Sequence, residues 1–137
     1  MRLTDEMIER AKAEMERNGL YRLELGRNGY PFHEHPDCIR IAYEWLDAQG
    51  KTKAPNQKNS TLPMKHAIER WAGRYISTSD VEVAAFLHPQ VHGRYPCYNI
   101  SQRLIRPHDR RLEGIGEAKT QGYAPRVTDN FYSSDET

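Results

Sequence analysis

The chain has 137 residues, 37% of them hydrophobic and 28% charged, with a mean hydropathy of -0.88 and a formal net charge of +1. That length fits one domain whose core needs no metal or disulfide, and the polarity points to a modest core with long loops. The near-neutral total gives no global nucleic-acid signature, no 18-residue apolar run is present to cross a membrane, and two cysteines, Cys38 and Cys97, are too few for a disulfide scaffold.

The first residues turn acidic at once and lack the apolar stretch of a secretory signal, so a cytoplasmic protein is expected. Residues 4–18 read as a helix. Thr4 suits the N-cap, Asp5 and Glu6 suit the positive end, and Leu3 with Ile8 has the spacing of a hydrophobic staple. Met7, Ile8, Ala11 and Met15 form its apolar stripe, and Asn18-Gly19 ends it. From Leu20 to Leu25 the period changes to two, which predicts a short strand. The turn signal Gly26-Arg27-Asn28-Gly29 and Tyr30-Pro31-Phe32 then complete a small hairpin.

His35-Pro36-Asp37 opens a second helix with a broad apolar face of Cys38, Ile39, Ile41, Ala42, Tyr43, Trp45 and Leu46, closed by Gly50. His33, His35 and Cys38 lack the second ligand pair of a structural zinc site, and His88, His92, Cys97 and His108 have no familiar ligand spacing, so no metal is expected. Lys51–Ser60 is polar and aperiodic, hence an exposed loop. Met64, Ala67, Ile68, Trp71, Ala72 and Tyr75 then repeat at helical spacing, with Trp71 as a core anchor. Ser79 and Glu82 have capping-box spacing before an apolar helix that His88-Pro89 stops. Asn99 is placed to cap a short helix from Ile100 to Ile105. Residues 107–112 make another short turn, and Gly114, Gly116, Gly122 and Pro125 punctuate a segment able to form a hairpin or wing.

The expected fold is mainly α (α+β): a compact bundle of about four to five helices with one or two small β-hairpins, winged-helix-like in its C-terminal half. Residues 1–127 make one globular domain, followed by an acidic, flexible tail over 128–137. Charge is unevenly spread. Residues 51–75 carry six basic side chains against Glu69 alone, and residues 88–126 carry seven against three acidic ones. Such segregation suits an anionic partner.

The succession of two helices and a glycine-containing basic segment, over roughly Met64 to Arg126, is similar in outline to winged helix-turn-helix DNA-binding domains. The connector His88–Tyr98 departs from that pattern, being longer than a three- or four-residue turn. The resemblance implies that Ser101, Gln102 and Arg103 read bases from the major groove. Arg94, Arg106, Arg110 and Lys119 would contact phosphates, with Lys51, Lys53 and Lys58 forming a second backbone contact. The competing expectation is a small protein-interaction module or inhibitor, such as a mobile-element accessory protein, using Arg94, Tyr95 and Tyr98. No P-loop, G-x-G-x-x-G, G-x-S-x-G or H-E-x-x-H motif is present, so neither an enzyme nor a cofactor is expected.

Overall fold

The computed structural model describes residues 2–19 and 35–137; the hairpin expected at Leu20–Phe32, and His33, lie outside them. Four helices make the body: α1 (Asp5–Arg17), α2 (Pro36–Ala48), α3 (Met64–Ala72) and α4 (Thr78–Leu87). The fold is mainly α. Its one sheet among the described residues is a parallel pair, β1 (Ile105–Arg106) with β2 (Ser134–Asp135).

Helix α2 is the centre. Pro36 occupies its first turn, where a missing N–H leaves no hydrogen bond unmade, and the His35 ring accepts from the Asp37 amide. Cys38, Ile39, Ile41, Ala42, Trp45 and Leu46 are all buried, so the helix is covered on several sides. α1, α3 and α4 each pack against it. α1 starts as its residues dictate, with the Thr4 hydroxyl accepting from the Met7 amide and Ile8, Ala11 and Met15 turned inward. α4 is apolar on nearly every side and lies between α1 and α2.

Two helix ends differ from expectation. The capping box of α4 is Ser77 with Asp80, not Ser79 with Glu82: each side chain accepts from the other residue's amide, and Ser79 is buried inside the first turn. α3 stops at Ala72 because Gly73 turns left-handed (φ 71°), so Tyr75 falls beyond the helix.

The larger departure is in the C-terminal half. Ile100–Ile105 is not a helix. Ile100 bridges to Lys51 in antiparallel fashion, Gln102 and Arg103 form a bend, and Ile105 begins β1. The competing pairing explains why. Asn99 does not cap a helix; it is buried, accepts from the His92 amide, and donates to the carbonyls of Thr52 and Gln90. Gln49, also buried, acts as a substitute strand, accepting from the Ile105 amide and donating to its carbonyl. The glycine-containing segment forms turns rather than a winged hairpin.

Residues 128–137, expected to be a flexible tail, dock on the body. Their two aromatics supply apolar surface that a reading of the acidic residues overlooks. The Trp45 indole donates to the Tyr132 hydroxyl at 2.9 Å, and Phe131 and Tyr132 pack against the core. Arg111 pairs with Glu136 at 2.6 Å and also reaches Glu44 and Asp47 on α2.

Candidate nucleic-acid interface

The acid-poor stretches of the chain meet in space. No Asp or Glu occurs from Ala48 to Ile68 or from Val83 to His108. These two segments are laced together along one edge. The Ser101 amide donates to Gly50, Thr52 to Asn99 and Asn56 to Tyr98, and the buried Asn59 amide group donates to the carbonyls of Tyr98 and Ile100. The edge therefore displays no acidic side chain.

Of the residues singled out from sequence, five share this edge. Lys53, Lys58, Gln102 and Arg103 are exposed and Ser101 is half-buried. Gln102 donates to the Lys58 carbonyl at 3.0 Å, tying the two segments side by side, and the Ser101 hydroxyl accepts from the Arg103 amide. Lys51 is engaged elsewhere. Its ammonium donates to the carbonyls of Leu46, Asp47 and Gln49, closing the negative end of α2, and burial pushes its pKa below the ordinary lysine value.

The other four predicted residues are dispersed. Arg94 lines a groove of about 700 Å³ beside α4, with Met15, Phe86 and Tyr95. Tyr98, expected on an interaction surface, is instead buried at 3% exposure. Arg110 donates to the carbonyl of Thr137. Arg106 and Lys119 come together in a cleft at the C-terminal end of α3, with Arg70 and Trp71. Sequence spacing gives no sign of that meeting, because Arg70 stands on the polar face of α3 and its neighbours in the cleft come from distant, aperiodic segments.

No family model matches the chain, and neither a curated protein nor a solved structure matches it significantly. Functional inference therefore rests on the geometry.

One other constellation invites a catalytic reading. Buried His88 lies 2.8 Å from the Asp47 carboxylate through Nε2. Its Nδ1 accepts from the Gln90 amide, which fixes the tautomer with Nε2 donating to Asp47. Both ring nitrogens are thus occupied, and no lone pair is left to accept a substrate proton. Burial pushes the Asp47 carboxyl up, but hydrogen bonds from His88 and Arg111 outweigh this and hold it below the usual range. The pair works as a structural clasp. Among the described residues no group of three or more His, Cys, Asp or Glu can hold a metal, and no helix is long and apolar enough to cross a membrane.

Proposed function

We propose that this protein binds nucleic acid through the edge where residues 50–59 run beside residues 98–103. The observation that carries this reading is the joining of two acid-free segments, with Lys53, Lys58 and Arg103 exposed on them. A polyanion is attracted to such an edge without needing detailed geometry, and Ser101 and Gln102 add neutral hydrogen-bonding groups. The contact does not use a recognition helix, because Ile100–Ile105 is bent and strand-like.

Arg103 leads directly to Arg106 along the chain. Three residues of extended backbone span about 10 Å at most, so the edge and the cleft holding Arg106 are neighbours along one track. Asp47, in the last turn of α2, is paired with Arg111 and His88.

The test is fluorescence anisotropy of labelled single- and double-stranded oligonucleotides as salt rises. Three phosphate contacts on a single strand, by Lys53, Lys58 and Arg103, predict roughly a twenty-fold loss of affinity between about 50 and 200 mM salt. Failure to bind either form at about 50 mM salt would overturn the reading. The rival is a protein partner in the groove beside α4, favoured by exposed Phe86 at its rim. It predicts a stoichiometric protein complex that survives nuclease and is lost on Phe86→Ser, with the edge lysines dispensable.

A further inference from the structure

Beyond the edge, a second feature gives the ligand its chemical class. Between the end of α3 and residues 119–132 lie two adjoining compartments of about 210 and 270 Å³, sharing Arg70, Trp71, Arg106 and Pro125 as walls. Each is smaller than the roughly 300–1,000 Å³ of a typical small-molecule site, so a ligand that uses the cleft spans both. The first adds the rings of Phe131 and Tyr132 together with Arg126; the second adds Tyr123 and Lys119.

We propose that this cleft receives one unstacked nucleotide of a single strand, its base against the aromatic walls and its phosphate on Lys119 and Arg126. The inference rests on the nucleic-acid reading above and narrows it from any polyanion to an unpaired strand.

Charge comes first. Arg70 is paired with Asp129, and Arg106 with Asp109 at 3.2 Å. Lys119 and Arg126 are exposed, and among the described residues their side chains form no ion pair. With both carboxylates of the cleft already matched, these two cations are left for an anion. A ring is favoured as well as a charge, because aromatic faces accept any base by stacking while a basic groove follows the backbone. Tyr123, 41% exposed, is the most open of those aromatics. A duplex keeps its bases inside the stack and would present only phosphates to the cleft.

The backbone at Lys119 is a separate indication. It is the one described non-glycine residue with positive φ, at 62°. Its amide donates to the Ala72 carbonyl at 2.6 Å, which holds it against the end of α3. Glycine fits that conformation without the steric cost a lysine bears, so the fold alone does not call for lysine here. Strain of this kind collects where a side chain is used. Trp71 lines both compartments and gives them a shared aromatic wall.

The strain supplies a clean test. Lys119→Gly removes the cation while relaxing the backbone, so its melting temperature should equal or exceed that of the wild type. Tyr123→Ala removes an exposed ring at little cost to the fold. Anisotropy would be measured on a mixed-sequence strand of about twelve nucleotides, on its duplex, and on an abasic strand of the same length. The cleft predicts that the normal strand binds at least ten-fold tighter than the duplex or the abasic strand. Each variant should lose about ten-fold on the normal strand and little on the duplex. Unchanged strand binding by both folded variants overturns the cleft, as does equal affinity for strand and duplex; either leaves the edge as the binding surface. Absence of binding to all three probes overturns the cleft and the nucleic-acid reading together.

Discussion

The helical body and the C-terminal strap from Glu113 to Thr137 are held by different physics. The body closes over apolar side chains: Ile39, Ile41, Trp45, Ile68, Ile76 and Val81 are fully buried on three neighbouring helices and the α3–α4 connection. The strap has only a two-residue strand and few apolar anchors, chiefly Ile115, Phe131 and Tyr132, and most of its fastenings are polar: Arg111 with Glu136, Arg70 with Asp129, Arg74 with Glu117, and the Trp45–Tyr132 hydrogen bond. Apolar burial is non-directional and adds up over area, whereas each polar fastening depends on a partner held at a particular place. A segment fastened that way can carry a binding cleft without holding up the core. That division predicts which substitutions unfold the protein and which only loosen one end.

The largest effect should come from the body. Trp45→Ala removes a ring with no solvent exposure and also the donor to Tyr132, so a loss of about 3–5 kcal/mol is expected in urea denaturation. A loss under about 1 kcal/mol would mean that α2 is not the centre. Asn99→Ala comes next. It leaves the His92 amide and the Thr52 and Gln90 carbonyls without their partner, which should cost about 2–3 kcal/mol and separate the two segments of the basic edge. Nucleic-acid affinity should fall with it, although Asn99 is buried.

Gly73→Ala tests the junction between body and strap. A Cβ at residue 73 would lie 2.7 Å from the Lys119 Cα, in a left-handed conformation (φ +71°) that alanine resists. About 2 kcal/mol of destabilisation is expected, together with displacement of residues 119–121 seen in amide chemical shifts. Gly19→Ala has a similar φ of +67° but meets nothing within 4 Å among the described residues, so about 1 kcal/mol is expected from the conformation.

The smallest effect is confined to the strap. Hydrogen bonds from Arg111 outweigh partial burial and lower the Glu136 pKa from 4.5 to about 2. A carboxyl depressed in the folded state contributes stability that is complete above about pH 4.5 and is lost as pH falls toward 2. Protection factors at residues 133–137, relative to intrinsic exchange at each pH, should therefore fall over that interval while α2 stays protected. Glu136→Gln should already exchange fast at neutral pH. Acceleration of α2 in step with the strap would contradict their separation.

The body was legible in the sequence for the same reason that it is stable. Helical periodicity reports burial, so Ile8, Ala11, Met15, Trp45 and Ile68 were all found from spacing. The Thr4 and His35-Pro36 starts were found from local chemistry. The strap and the edge were not legible, because their contacts join distant residues through polar groups with no period. Asn99 looked like a helix cap because its partners, Thr52 and His92, carry no local mark of the pairing. Lys119 was singled out for charge, but the strained backbone that makes it informative appears only in three dimensions. Arg70 and Arg126 count in the sequence only as basic charge, one on the polar face of a helix and the other in an irregular segment, with no mark of the cleft they share.

The most direct test of the strap as a nucleic-acid cleft is the salt dependence of single-strand binding, with wild type compared to a Lys119→Gly, Arg126→Ala double variant. Each phosphate contact on a single strand contributes about 0.7 to the slope of log affinity against log salt. If both cations hold the one phosphate of the bound nucleotide, the variant's slope should be shallower by about 0.7, with a melting temperature no lower than that of the wild type. A slope equal to that of the wild type would contradict the account.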